Sequence, residues 1–207
     1  MKKLRASFYQ RSDVVEIARE LLGKLVITEW DGLRTAGRIV ETEAYRGVSD
    51  RASHAYGARR TARTEVMYAP GGIAYVYLCY GIHHLCNVVT GGRDEPHAVL
   101  LRGMEPVEGL TIMSSRTGKE VKDTTIGSGP GNLTRALGIS IAHTGHSLLG
   151  APFYIAEDGF LLPEKKIMAT PRIGVDYAGA DAGLPYRFII IDNPWISKKN
   201  TFSPIKK

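Results

Sequence analysis

The sequence predicts a single α+β domain, and three observations carry the prediction. A chain of 207 residues suits one hydrophobic core. Two alternating apolar segments meet across Asp31-Gly32, the mark of an antiparallel hairpin, and short helical segments are interspersed with strands. No internal repeat, low-complexity run or linker divides the chain.

Each element has a local reason. Asp13, with Glu16 three residues on, forms a capping-box-like start; Val14, Ile17, Ala18 and Leu21 then share one helical face, and Gly23 stops the helix. Residues 25–30 read as a strand, Asp31-Gly32 as a tight turn and residues 33–45 as a long returning strand. A period of two places Ile39, Glu41, Glu43 and Tyr45 on one face, where two carboxylates are unfavourable unless the face is wet or functional. Residues 46–64 lose the apolar pattern: Arg46, Arg51, Arg59, Arg60 and Arg63 stand against a single acid, Asp50. Strands follow at 73–79, 85–90 and, as a short third, 98–102, then a helix over 108–115. Gly127-Ser128-Gly129-Pro130-Gly131-Asn132 leads into a helix ending near Gly138, and further strands lie at 153–156 and 186–191 before a polar tail carrying Lys198, Lys199, Lys206 and Lys207.

The net charge is +6, the pI is about 9.3, and 16 of the 27 basic residues are Arg, the cation better matched to phosphate geometry. An anionic partner fits, although charge alone does not single out nucleic acid. No segment approaches the roughly 20 apolar residues of a membrane span. Ser7, Gln10 and Arg11 interrupt what would be a signal peptide's apolar region, and the only cysteines are Cys79 and Cys86. A cytoplasmic protein with no membrane association is the expectation.

Tyr45, Tyr75, Tyr77 and Tyr80 fall in one segment with Glu41, Glu43, His54, Asn87 and Arg102. Glu43 is the leading general base, because a carboxylate beside aromatic walls and opposite an arginine can stay ionised, hold a water and take its proton. Glu41 is its rival on the same face. Tyr45, Tyr77 and His54 could sandwich a planar ring, worth roughly 1–3 kcal/mol per stacked base, whereas Tyr75 reads as sheet packing. Tyr80, before Gly81 at a turn, would project and could wedge into a base stack.

Cys79, His83, His84 and Cys86 invite a zinc reading, but their spacing is not a recurrent ligand pattern, and His143 and His146 have no second pair nearby. Neither a metal nor a cofactor is expected. The glycine-rich loop could touch a phosphate but lacks the lysine of a nucleotide-binding loop. No lysine occurs between Lys24 and Lys119, so Schiff-base chemistry has no amine in this segment, and activated water remains. The competing classes are a catalytically silent nucleic-acid-binding module and a zinc-dependent hydrolase or deaminase, whose signature is missing.

Taken in order, Glu41-Thr42-Glu43-Ala44-Tyr45, His54, Tyr75-Val76-Tyr77, Tyr80-Gly81, Asn87, Leu100-Leu101-Arg102, Glu105-Pro106, Ser128-Gly129-Pro130, Arg172-Ile173-Gly174-Val175 and Asn193-Pro194-Trp195 resemble the alkyladenine (3-methyladenine) DNA glycosylase family of the mammalian type. The resemblance covers nearly the whole chain. It implies one α+β domain with a curved antiparallel sheet surrounded by helices. It further implies that Glu43 activates water, that Arg102 and the Ile173 carbonyl orient it, and that Tyr45, His54 and Tyr77 enclose a flipped base, with Leu100 and Ile173 completing the substrate set. Tyr80 would fill the gap in the duplex, Asn87 would crowd the 2-amino group of guanine, and Arg59, Arg60 and Arg63 would contact DNA. The implied partner is double-stranded DNA containing damaged purines, bound by a monomer, and the implied reaction is hydrolysis of the N-glycosidic bond at the start of base excision repair. His83-His84 departs from the vertebrate members, which tend to carry aromatics there.

Overall fold

The structure is a computed structural model describing residues 1–197, so the tail lysines Lys198, Lys199, Lys206 and Lys207 lie outside the described residues. In chain order the elements are β1 (Lys2–Lys3), α1 (Ala6–Tyr9), α2 (Val14–Glu20), β2 (Leu25–Trp30), β3 (Leu33–Tyr45), β4 (Ala74–Cys79), β5 (His83–Thr90), β6 (His97–Glu108), α3 (Leu110–Thr117), α4 (Pro130–Leu137), β7 (Leu149–Gly150), β8 (Phe153–Glu157), β9 (Ile167–Thr170) and β10 (Arg187–Ile190). The strands join in one sheet of order β1-β8-β2-β3-β6-β5-β4, with β10 on β3 and β9 and with β7 on β8. Every pairing is antiparallel among the described residues, the α+β arrangement that the sequence implies.

Helix α2 begins where Asp13 accepts hydrogen bonds from the Val15 and Glu16 amides. Glu16 does not reach back to complete a capping box; it pairs with Arg19. Val14, Ile17, Ala18 and Leu21 are buried, and Thr42 on β3 donates its hydroxyl to the Ala18 carbonyl, locking helix to sheet. The β2–β3 hairpin turns through Asp31 and Gly32, both at positive φ, as a two-residue turn demands.

Two expectations need correction. Strand β6 is not a short segment ending at 102; it runs to Glu108, because β3 offers it pairing partners as far as Ala36. The following helix accordingly starts at Leu110, after Gly109 turns the chain at φ 76°. Four short elements, β1, α1, β7 and β9, escaped the sequence because two to four residues carry too little periodicity.

Strand β3 positions the site. Over residues 33–38 one of its edges pairs with β2, over 41–43 the same edge pairs with β10, and β6 follows the other edge from Ala36 to Tyr45. The β3–β6 register steps from Ile39↔Met104 to Glu41↔Gly103 and then to Thr42↔Leu101, leaving Val40 and Arg102 without cross-strand partners. Such bulges re-aim side chains. Ile39 therefore packs in the same core cluster as Val40 and Ala44, rather than continuing the Glu41–Glu43–Tyr45 row as strict alternation predicts.

Candidate active site

Glu41 and Glu43 are both fully buried, so each must find its partners inside the protein. The Glu41 carboxylate accepts from Arg187 Nε (2.7 Å), Arg102 Nε (3.0 Å), the Ser197 amide (2.6 Å) and the Ser197 hydroxyl (2.8 Å). Burial pushes its pKa up, but Arg102 and Arg187 together with the Ser197 amide hold it below the ordinary carboxylate value. Gly103 makes room: a Cβ there would lie 2.9 Å from the Trp195 carbonyl and 3.2 Å from the Glu41 carboxylate. Three of these donors converge on Oε1 and only the Ser197 amide reaches Oε2, so Glu41 is the centre of a buried cluster with two arginines.

Glu43 is less completely occupied. Its Oε2 accepts from the Tyr45 hydroxyl (2.8 Å) and from Arg102 Nη1 (3.4 Å), while Oε1 accepts from the Ile173 amide (2.8 Å). One acceptor direction is left, on Oε1, beside the Ile173 backbone. Burial tends to lower the Arg102 pKa, but Glu43 and Glu41 outweigh it and keep the guanidinium charged. Tyr45 is held far above its usual pKa by burial and then by Glu43, so its phenol stays a donor to that carboxylate. Sequence alternation left Glu41 and Glu43 as rivals; they differ in that a second arginine, Arg187, holds Glu41, whereas Tyr45 and Ile173 donate to Glu43.

Above this layer opens a cavity of about 570 Å³, whose lining includes Tyr45, His54, Tyr77, Leu100, Arg102 and Ile173. Six of the residues singled out in the sequence thus share one cavity, and Glu43 lies directly behind its wall, touching Tyr45, Arg102 and Ile173. Asn87 lines a smaller space of about 40 Å³ with Tyr45, His54 and Tyr77, where its amide donates to the Tyr75 carbonyl (3.1 Å). Arg172, bound to Asp50, packs over the Tyr45 ring at 4.9 Å, and Arg63 packs over Tyr77 at 4.9 Å. Both walls are therefore held by cations.

His54 sits edge-on to Tyr77, with ring centroids 4.7 Å apart. Tyr75 is more than sheet packing, because its hydroxyl lies 2.8 Å from His54 Nδ1 and receives Arg63 Nε at 3.3 Å. Arg63 can only donate, and the phenol hydrogen needs an acceptor; satisfying both makes Tyr75 donate to Nδ1 and leaves the proton on Nε2. Burial, then Arg63 and Arg59, lower the His54 pKa to about 4. The imidazole is neutral at neutral pH. It is suited to donate a hydrogen bond rather than to deliver a proton.

At the mouth of the cavity the β4–β5 turn carries Tyr80 at φ 51° and Gly81 at φ 73°. Tyr80 is 91% exposed, and Ile82 beside it is 72% exposed, an apolar pair projecting from the molecule that sequence reading had found only by half. Gly129, Pro130, Gly131 and Asn132 form another part of the rim. Tyr177, also missed, is exposed and lines both the large cavity and the small one; it lies in a Gly- and Ala-rich stretch with no periodic signal. Of the arginines proposed for DNA contact, Arg59 and Arg63 face cavities, whereas Arg60 is held by Glu65 (2.7 Å) and Asp94 (2.9 Å).

The residues of the zinc reading are distributed otherwise. Cys86 is buried in the main core with its thiol pushed up to about 12 by burial, and among the described residues no group of three or more His, Cys, Asp or Glu is placed to hold a metal. His143 stacks on Trp30 at 4.2 Å, and His146 meets the same ring edge-on. No helix among the described residues is long and apolar enough to cross a membrane.

The chain is similar in sequence to known proteins. A family profile described as methylpurine-DNA glycosylase matches residues 7–194. A Bacillus licheniformis protein named "Putative 3-methyladenine DNA glycosylase" is 46% identical over 196 residues, covering 94% of this chain and 96% of its own length. Proteins of the same name from Desulfitobacterium hafniense and Chlamydia abortus are 42% and 45% identical, covering 96% and 90% of this chain and 100% and 97% of their own lengths. These relatives are bacterial, so they carry the family assignment but not the mammalian-type label. With the profile spanning nearly all the described residues, and with relatives this similar from end to end, the chain belongs to the methylpurine-DNA glycosylase family of DNA-repair enzymes.

Proposed function

We propose that this protein flips alkylated or deaminated purines, of the 3-methyladenine, 7-methylguanine, hypoxanthine and ethenoadenine class, out of double-stranded DNA and hydrolyses their N-glycosidic bonds with a water activated by Glu43. The observation that carries this reading is the single open acceptor direction of Glu43, which adjoins Ile173 behind an aromatic cavity. A water there gives its proton to Glu43 as its oxygen bonds to C1′ of the deoxyribose, and the base leaves with the electron pair of the broken C–N bond. Arg102, 3.4 Å from Glu43 Oε2, orients that water. The names of the relatives support the 3-methyladenine part of the substrate range.

A base carrying a methyl group at N3 or N7 is already cationic, so it departs as a neutral molecule, and stacking between Tyr45, Tyr77 and His54 suffices to hold it. A neutral lesion needs a partner for its developing negative charge. The Nε2–H of His54 supplies a hydrogen bond rather than a proton. Tyr80 and Ile82 occupy the vacated place in the duplex, and Asn87 crowds an exocyclic 2-amino group. The reaction is one hydrolytic step that leaves an abasic site, carried out by a monomer, as a single domain engaging DNA allows, in the cytoplasm that the sequence features favour.

The test is Glu43→Gln on duplex DNA holding one hypoxanthine, measured under single-turnover conditions. Base release is expected to fall by roughly 10²–10⁴-fold, the range of a lost general base, with duplex binding retained. Near-normal release would remove Glu43 from the chemistry. A protein–DNA adduct trapped by borohydride would replace hydrolysis with an amine intermediate.

A further inference from the structure

Across His54 from the base pocket lies a second cavity of about 480 Å³, lined by Arg51, Arg59, Arg63, Tyr56 and Tyr177 among others. His54, Arg63 and Tyr177 line both cavities, so the two are adjacent rooms sharing one wall. No acidic residue lines the second.

Its charge is unbalanced by arrangement. Asp50, the one acid within residues 46–64, is committed to Arg172, and Asp181 accepts from the Arg51 backbone amide instead of its side chain. Arg60 is neutralised by Glu65 and Asp94. Arg51, Arg59 and Arg63 are left without a carboxylate partner among the described residues. Three guanidiniums around one cavity repel one another unless an anion joins them, and planar guanidiniums fit phosphate oxygens in pairs. The field of two of them already acts on the shared wall, since Arg63 and Arg59 help to depress His54.

We propose that this cavity holds one phosphodiester of the damaged strand, next to the flipped nucleotide, with Arg51 and Arg59 as its ligands and Arg63 joining it to the base pocket. The damaged strand is the source because a backbone whose base stands against His54 must pass the other side of that ring within one nucleotide. Tyr56 and Tyr177, 45% and 71% exposed, give the same nucleotide surfaces to lie against. The proposal rests on the DNA-glycosylase reading. It separates Arg51, which carried no role in the sequence, from Arg60, whose charge is already spent.

The experiment measures binding of the full-length protein to duplexes containing one uncleavable abasic analogue, with each nearby phosphate replaced in turn by an uncharged methylphosphonate. For the wild type, one position beside the lesion on the damaged strand is expected to weaken binding by roughly tenfold or more, as loss of a charge-assisted contact does. Arg51→Gln/Arg59→Gln is expected to weaken binding to the unmodified duplex by a similar factor and to be insensitive to methylphosphonate at that same position, while Arg60→Gln retains the wild-type profile. Equal losses at every phosphate of the wild type, or losses that simply add in the double variant, would overturn the proposal, and the wild-type series decides even if the variant folds poorly. Release of free base by the wild type is assayed separately, and its absence would count against the glycosylase reading alone.

Discussion

Two carboxylates two residues apart on one strand, Glu41 and Glu43, are equally buried, and their surroundings differ. Around Glu41, Arg102, Arg187 and both polar groups of Ser197 converge, so the group is the centre of a buried ion-pair cluster. Around Glu43, Tyr45, Arg102 and Ile173 leave one direction open beside the cavity. Arg102 touches both, from a bulge position that ordinary pairing would not supply. Burial alone does not tell the two apart; the cavity does, since all three donors of Glu43 line it and only Arg102 among those of Glu41 does.

The largest break in this comparison is Glu41→Ala, which removes a buried carboxylate partner from both Arg187, itself fully buried, and Arg102. A destabilisation of about 3–5 kcal/mol is expected, read from the urea midpoint. Glu43→Gln keeps the shape and should cost less. The reverse order would show that Glu43, not Glu41, anchors the sheet.

Acid separates the two regions by pH window. His54 has a folded pKa near 4 against an ordinary 6.5, so the unfolded chain takes its proton first, and stability is lost as pH falls from about 6.5 toward 4. Glu41, held below the ordinary carboxylate value, contributes stability that is lost only at lower pH, as the pH falls through its folded pKa. His54→Asn should therefore flatten the stability profile between pH 6.5 and 4 while leaving the steeper acid limb. If the upper window is unchanged in His54→Asn, the neutral-imidazole account of the pocket is wrong.

The smallest effect is expected from Tyr75→Phe, which removes one hydroxyl between Arg63 and His54, worth about 0.5–1.5 kcal/mol. Release of hypoxanthine should slow by a few fold and release of 7-methylguanine should not, since only the neutral base needs the oriented Nε2–H. Equal slowing of both would make Tyr75 a packing residue.

Much of this was legible in the chain. The α2 cap, the Asp31-Gly32 hairpin and the wall tyrosines follow from local rules that the sequence states openly. The aromatic-acid row from Glu41 to Tyr45 was visible as a violation, two carboxylates where apolar residues belong. The partners that decide between them were not visible. Arg187 and Ser197 meet Glu41 across more than 140 residues of sequence, and the Arg102 bulge arises from pairing register, not from composition. The pairing of Asp50 with Arg172, which leaves the loop arginines unbalanced, is likewise a tertiary event.

The division of labour is tested most directly by single-turnover base release from one hypoxanthine-containing duplex, with Glu41→Gln and Glu43→Gln compared under conditions where each is folded. The account predicts that folded Glu41→Gln retains release within about tenfold of the wild type, whereas Glu43→Gln loses roughly 10²–10⁴-fold. A Glu41→Gln enzyme as inactive as Glu43→Gln, or more so, would contradict it.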